Sequence, residues 1–154
     1  MWMNVISAID CDVDIIFVVD ESGSVNATNF EIMKSFLSQL VGGLDIDGGN
    51  TRVGLVTYSL SVDTAEAFNL NAYSSVADVQ SAIAALTFTG RTTYTHLALE
   101  YVRTTMLTSA TGDRPDVSNA VVVLTDGKST NASETQVCTI WKLTKTTSLF
   151  QKLS

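Results

Sequence analysis

Side chains that carry oxygen alternate in one short segment of the sequence, DESGS at residues 20–24. Asp20 supplies a carboxylate, Ser22 and Ser24 supply hydroxyls, and Gly23 lets the backbone curl between them. Carboxylate and hydroxyl oxygens are hard ligands that suit Mg²⁺, Mn²⁺ or Ca²⁺. The segment therefore indicates a divalent-cation site, and its alternative interpretation is a cluster of helix-capping residues.

Two further segments rich in side-chain oxygens could complete such a site. They are GRTTYT at residues 90–95 and TDGKS at residues 125–129. Asp126 follows the apolar run AVVVLT, just as Asp20 follows the apolar run at residues 13–19. If the two runs are neighbouring parallel strands, both carboxylates lie at the same rim of the sheet.

Strands and helices alternate along the chain and would position these segments. The run at residues 13–19 is interrupted only by Asp14, which is typical of a strand buried on both faces. We expect further strands over residues 52–60, 64–70 and 120–125, and helices over about 28–41, 75–86 and 95–107. In the first helix, Thr28 or Asn29 is the expected N-cap. Its expected apolar stripe comprises Phe30, Ile32, Met33, Phe36, Leu37, Leu40 and Val41. This order predicts an α/β fold, a doubly wound, mostly parallel sheet with helices on both faces.

Composition limits the classes of function. A chain of 154 residues with 45% hydrophobic content and one proline fits a single domain. A net charge of -7 and the lack of a basic cluster argue against nucleic acid or an anionic membrane as partner. No apolar run is long enough to cross a bilayer, and the first ten residues do not resemble a secretory signal. Cys11 and Cys138 do not have metal-ligand spacing.

The motifs, taken in order, resemble the von Willebrand factor A-type domain found in matrilins, collagens and integrins. The similarity extends over about residues 14–134 and includes DIIFVVDESGSV, TGRTTYTHLALEYV and VVVLTDGKST. It implies a metal-ion-dependent adhesion site in which Ser22 and Ser24 bind the metal directly. It also implies that Asp20 and Asp126 act largely through water, and Thr93 directly or through water. Arg91 stands where the family usually has a second glycine.

The resemblance also implies a function. We expect a non-enzymatic adhesion or matrix module, extracellular as a secreted protein or as the ectodomain of a larger one. The expected cofactor is Mg²⁺, with Mn²⁺ or Ca²⁺ as alternatives, bridging to an Asp or Glu of a matrix or cell-surface protein. Asn26 and Asn131 begin two glycosylation sequons. The alternatives are an intracellular A-type scaffold and a metal-dependent hydrolase. The lack of a candidate general base other than Glu21 argues against the hydrolase.

Three other assignments are weaker. A dehalogenase-like phosphatase would need Asp-x-Asp, and here Ser22 holds the second position. The segment at residues 45–50 resembles a calcium loop, but Val56 stands where an EF-hand needs a bidentate Glu. Ser22 lacks the setting of a hydrolase nucleophile, and the only histidine is His96, expected in the first turn of a helix.

The C-terminal part of the sequence departs from the family pattern. After Ser133 the family continues with a helix, an apolar strand and a further helix, whereas this sequence ends TTSLFQKLS. We therefore expect a C-terminally truncated domain that lacks the last strand and helix. The expected domain comprises residues 12–145, with residues 1–11 and 146–154 as flanks and the second flank not native to the fold.

Overall fold

The computed structural model describes residues 12–125 with their side chains, and the backbone of residues 146–152. The strands are β1 (Val13–Asp20), β2 (Thr51–Tyr58), β3 (Val62–Phe68), β4 (Ser118–Thr125) and β5 (Thr146–Lys152). The helices are α1 (Asn26–Val41), α2 (Val76–Ala85) and α3 (Thr95–Tyr101). A π-helical turn at Val102–Met106 continues α3, and a 3₁₀ turn follows at Ser109–Thr111.

The strands form one sheet in the order β3-β2-β1-β4-β5. β1 pairs in parallel with β2 on one side and with β4 on the other. β3 is antiparallel to β2 and lies at one edge. The expected doubly wound, mostly parallel sheet is therefore confirmed, and the carboxyl ends of β1, β2 and β4 share one rim.

The C-terminal strand differs from the sequence prediction. We expected the last strand to be missing, but residues 146–152 pair in parallel with β4 in an unbroken register from Asn119↔Thr146 to Thr125↔Lys152. The segment TTSLFQK contains residues of high strand propensity, although it is less apolar than the strand that the family pattern led us to expect.

The sheet separates two apolar layers. Phe17 and Val19 pack with α1 and α2 in one layer, whereas Ile16 and Val18 pack with α3 and its π-helical turn in the other. All four side chains are fully buried. Since successive side chains of a strand point to opposite faces, a strand covered on both faces must be apolar throughout. This accounts for the continuous apolar run in β1, which fixes the position of the segment that follows it.

The first helix uses a narrower apolar stripe than the sequence predicted. Its buried residues are Phe30, Met33, Leu37 and Val41. Ile32 and Phe36 keep 55% and 39% of their surface exposed. At about 100° per residue, Ile32 lies roughly 200° around the helix from Phe30 and so cannot share its face. The prediction that Ile32 and Phe36 face the core was wrong.

The same helix begins earlier than expected, at Asn26, and its N-cap is Val25 rather than Thr28 or Asn29. Asn26 has a left-handed backbone, with φ of 62°, a conformation that asparagine tolerates better than most residues. Its Oδ1 accepts a hydrogen bond from the Asn29 backbone N–H at 3.0 Å. The asparagine side chain therefore makes an additional hydrogen bond to an N–H of the first helical turn.

An ion pair closes the opposite rim of the sheet and explains the charge within β1. Asp14 is fully buried, and its Oδ1 lies 2.7 Å from a terminal nitrogen of Arg114. Its Oδ2 accepts the Arg114 backbone N–H at 2.8 Å. The same guanidinium donates to the carbonyls of Val13 and Asn50. Arg114 thus joins the start of β1 to the loops that precede β2 and β4.

None of the helices in residues 12–125 has the length and apolarity that a membrane span requires.

Candidate metal centre

The loop between β1 and α1 holds three predicted ligands in a compact turn. Asp20 and Ser22 are fully buried, whereas Ser24 is exposed. The Ser22 backbone N–H donates to Asp20 Oδ1 at 2.9 Å, which folds the loop back over the end of β1. Ser22 Oγ and Ser24 Oγ lie 3.1 Å apart. The two hydroxyls therefore form a close pair between the buried carboxylate and solvent.

A residue at the end of β4 contacts the same carboxylate. Thr125 Oγ1 donates to Asp20 Oδ2 at 2.7 Å. The contact follows from the parallel register, because Val19 pairs with Leu124 and the next residues are therefore neighbours. Sequence reasoning placed Thr125 only at the start of an oxygen-bearing segment and missed this contact. The predicted ligand Asp126 lies outside the described residues, as do Asn131, Cys11 and Cys138.

The segment that carries Thr93 is joined to this loop by backbone hydrogen bonds. The Gly23 N–H donates to the Arg91 carbonyl at 2.8 Å, and the Gly90 N–H donates to the Glu21 carbonyl at 3.0 Å. Thr93 follows two residues later and is 5% exposed. Gly23 is required for this approach, since a Cβ there would lie 2.9 Å from the Gly90 carbonyl oxygen. The structure thus brings the predicted Thr93 segment against the Asp20–Ser24 loop.

Glu21 is buried beside the predicted ligands, and sequence reasoning did not anticipate its environment. Only 2% of its surface is exposed, and Ser59 Oγ donates to its Oε1 at 3.4 Å. Within the described part of the chain, its Oε2 has no hydrogen-bond partner. Burial raises the pKa of the Glu21 carboxyl to about 7, and the charges of Asp63 and Glu66 act in the same direction. Hydrogen bonds from Thr89 and Ser59 oppose the rise. A carboxyl so enclosed is poorly placed to activate a water molecule at an open site, which disfavours the hydrolase alternative.

A buried tyrosine at the end of β2 contacts the first residue of α3. Tyr58 is fully buried, and its hydroxyl lies 3.2 Å from Thr95 Oγ1. Burial, together with the nearby charge of Asp20, raises the pKa of Tyr58 well above its usual value. The phenol therefore stays neutral at physiological pH. His96, the next residue after Thr95, lies in the first turn of α3 as expected, with its ring edge-on to Tyr94.

The chemistry of the rim fits a hard divalent cation held partly by neutral oxygens. Neighbouring ligands in an octahedral shell with bonds of about 2.0 to 2.1 Å lie about 2.9 Å apart, close to the 3.1 Å between Ser22 Oγ and Ser24 Oγ. Burying a carboxylate such as Asp20 is costly, and a bound cation would offset that cost. Residues 12–125 contain no cluster of three or more His, Cys, Asp or Glu side chains suited to a metal. A cation here would therefore depend on hydroxyls and water as well as carboxylates.

The calcium-like segment at residues 45–50 has a structural explanation. Asp45 Oδ1 accepts the Gly48 N–H at 3.0 Å, and its Oδ2 accepts from Asn50 Nδ2 at 2.7 Å. The Asp45 carbonyl also accepts the Thr51 N–H at 2.9 Å. These bonds hold the turn that leads into β2. The reading of this segment as a loop agrees with the geometry.

Comparison with known proteins identifies the family. The von Willebrand factor type A domain matches residues 14–147, and the chain belongs to this family. It is 42% identical over 118 residues to matrilin-1 of Bos taurus, covering 75% of this chain and 21% of matrilin-1. It is 40% identical over 119 residues to the collagen alpha-5(VI) chain of Mus musculus, covering 77% of this chain and 4% of that one. The chain thus spans about a fifth or less of these two relatives.

The fold comparison points in the same direction. Proximal thread matrix protein 1 of the mussel byssus superposes with a TM-score of 0.81 at 30% identity, over 92% of this chain and 38% of that protein. A second structure of the mussel protein, with a TM-score of 0.75 at 29% identity over 94% of this chain and 40% of that one, has a zinc-occupied MIDAS motif, the metal-ion-dependent adhesion site. Matrilin, collagen VI and the byssus protein are extracellular matrix proteins rather than enzymes. The chain is accordingly a non-enzymatic, extracellular A-type domain, and the alternative of an intracellular scaffold is not supported.

Proposed function

We propose that this domain is a matrix protein-binding module that holds a divalent cation at the carboxyl end of its sheet. The proposed ligands are Asp20, Ser22, Ser24, Thr93 and Asp126. The observation that carries the proposal is the pair of serine hydroxyls, 3.1 Å apart, beside a buried carboxylate. Mg²⁺ is the proposed ion because the ligands are hard oxygens. The zinc in the mussel protein supports a divalent cation without selecting magnesium.

The residues of the loop would hold the cation in a fixed place. Asp20 is oriented by the Ser22 N–H and the Thr125 hydroxyl, which direct its two oxygens. Ser22 is buried and Ser24 is exposed, so the serine pair reaches from the interior to the surface. When bound, the cation supplies an electrophilic position that a carboxylate from a partner protein can occupy.

Arg91 supports an acidic partner. The described residues include five basic side chains, and four of them are engaged: Lys34, Arg52, Arg103 and Arg114. Arg91 is exposed, and no residue in 12–125 forms a hydrogen bond or ion pair with its guanidinium. Its carbonyl is bonded to Gly23, which places its backbone beside the serine loop. An exposed guanidinium next to a cation site favours a ligand that carries carboxylates.

Binding measurements on a panel of immobilised extracellular-matrix proteins test the proposal. We expect binding in Mg²⁺ that is lost with a chelator, with Ser22→Ala and with Thr93→Ala, and that is weakened by Arg91→Gly. Ser81→Ala is the matched control, because Ser81 is exposed on α2 and its hydroxyl only donates to the Ala77 carbonyl. Binding that survives both the chelator and the substitutions at Ser22 and Thr93 would show that recognition uses another surface.

A further inference from the structure

Asn26 combines a glycosylation sequon with an unusual position beside the candidate metal centre. It begins the sequence Asn26-Ala27-Thr28. Its Oδ1 is occupied by the Asn29 N–H at 3.0 Å, so the amide nitrogen Nδ2 is the side-chain atom left for another bond. No residue in the described part of the chain forms a hydrogen bond with Nδ2. The side chain therefore presents the atom to which an N-linked glycan is attached.

The surroundings leave room for a bulky group. Residues 26–29 are all exposed, as is Ser24. The first turn of α1 therefore has open solvent around Asn26. The hydroxyl of Thr28, which completes the sequon, forms no hydrogen bond with any described residue, so removal of this hydroxyl breaks no contact of the described fold.

We propose that Asn26 carries an N-linked glycan that stands beside the candidate metal centre and limits the size of the partner that can reach it. The donor is an oligosaccharide linked to a lipid through pyrophosphate. A bond forms between Asn26 Nδ2 and C1 of the first sugar, the bond from C1 to the pyrophosphate oxygen breaks, and the amide loses one proton as the lipid pyrophosphate leaves. The Asn26 carbonyl oxygen is unchanged, and its hydrogen bond to Asn29 persists.

The chain connectivity places the glycan at the rim of the site. Asn26 is two residues from Ser24, which is at most roughly 7 Å of extended chain. Gly23, one residue further back, is bonded to the Arg91 carbonyl at 2.8 Å. A glycan is bulky and lies on the surface, so it would cover the space over Ser24 and Arg91. The limit on partner size rests on the proposed function, whereas attachment of the glycan does not.

The first experiment tests attachment with a matched pair of variants. Thr28→Ala abolishes the sequon and keeps Asn26, whereas Thr28→Ser retains the sequon. The parent chain and both variants are secreted from glycosylating eukaryotic cells, and their masses are measured before and after treatment with peptide-N-glycosidase. We expect Thr28→Ala to carry one glycan fewer than the parent and Thr28→Ser to carry the same number. Equal glycan numbers on Thr28→Ala and the parent would overturn the proposal.

The second experiment tests shielding without a partner protein. Arg91→Cys is introduced into the Thr28→Ser and Thr28→Ala chains, and the new cysteine is labelled with maleimide-polyethylene glycol. The labelling measured in the same chains without the added cysteine is subtracted. We expect labelling several-fold slower where the sequon is retained. Ser74→Cys is the control, because this exposed residue follows β3, which ends towards the opposite rim. Equal rates at position 91 in the two chains would overturn the shielding. If Mg²⁺ does not change the thermal stability of the domain, the proposed function is rejected. The glycan count and the labelling rates would still test attachment and shielding.

Discussion

At the scale of single residues, the side-chain oxygens of the candidate site differ in burial and in hydrogen bonding. Asp20 accepts hydrogen bonds that orient it, and the hydroxyls of Ser22 and Ser24 are hydrogen-bonded to each other. Glu21 lies between Asp20 and Ser22 in sequence, but its carboxyl faces the hydroxyls of Ser59 and Thr89. Adjacent residues of one loop thus belong to two separate polar clusters. The alternation at residues 20–24 fits the proposed function, in which Asp20, Ser22 and Ser24 would bind the cation and Glu21 would not.

Ser22→Ala should remove the stabilisation that Mg²⁺ gives to the domain. A ligand that binds only the folded state adds about 2.7 kcal/mol when present at about 100 times its Kd, which corresponds to a rise in Tm of roughly 5 to 10 °C for a chain of this size. We expect this rise in the parent chain and in Ser81→Ala, but not in Ser22→Ala. The measurement is thermal unfolding with Mg²⁺ and with a chelator. A parent chain whose cooperative transition ignores millimolar Mg²⁺ and Mn²⁺ would contradict the site.

The sequence was sufficient to predict that Asp20, Ser22 and Ser24 lie together in a turn, but not every contact that shapes this turn. The turn could be predicted because a buried strand ends there and a helix follows. The Thr125 contact to Asp20 could not, because it depends on the register between β1 and β4. The burial of Glu21 likewise depends on hydroxyls from two distant segments. Local patterns report periodicity and turns, whereas these contacts arise only from tertiary packing.

At the scale of elements, two loops form one unit because their backbones are bonded to each other. The close contact between Gly23 and Gly90 leaves no room for a side chain at position 23. The sequence predicted the strands and helices of residues 12–125 within a few residues, because their apolar residues follow clear patterns, but it did not predict β5. It overestimated the apolar face of α1, because seven apolar residues cannot all lie within the arc that the core covers. Segment 90–95 has no such period, so its docking could not be foreseen in detail.

Gly23→Ala should destabilise the domain by about 1 to 3 kcal/mol, because the added Cβ would lie 2.9 Å from a backbone oxygen that cannot rotate away. Gly43→Ala is the matched control, since its Cβ would meet nothing closer than the Leu40 carbonyl oxygen at 3.5 Å. We expect Gly43→Ala to leave stability nearly unchanged. Urea unfolding of both variants gives the comparison. Equal midpoints for the two variants would show that the loops do not meet as closely as described.

At the scale of the whole molecule, the two rims of the sheet have different roles. The candidate metal centre occupies the carboxyl ends of β1, β2 and β4. The opposite rim is closed by the Asp14–Arg114 ion pair and its bonds to neighbouring carbonyls. The sequence showed Asp14 only as an interruption in an apolar strand. Its partner lies 100 residues away in the chain, and no local pattern connects the two.

Asp14→Ala should cost about 3 to 5 kcal/mol of stability, because it leaves the Arg114 backbone N–H without its buried acceptor and removes the buried carboxylate partner of the guanidinium. Asp116→Asn is the control, since Asp116 is exposed nearby and should change stability by less than about 0.5 kcal/mol. Urea unfolding in the presence of a chelator separates this effect from any contribution of metal. A loss below about 1 kcal/mol would mean that the ion pair is dispensable.

The two parts of the candidate site should differ in local stability, because one follows the central strand β1 and the other is the irregular segment at residues 86–94. β1 has a hydrogen-bonded neighbour on each side, and residues 16–19 are fully buried. Its amides should therefore exchange with solvent deuterium only when the whole domain unfolds. Residues 86–94 have no regular secondary structure, so the amides around Thr93 should exchange by local opening, faster than those of Val18 and Val19. If the proposed cation site is correct, Asp20 and Ser22 would keep their positions when a ligand binds, and the segment that carries Thr93 would be the part that adjusts.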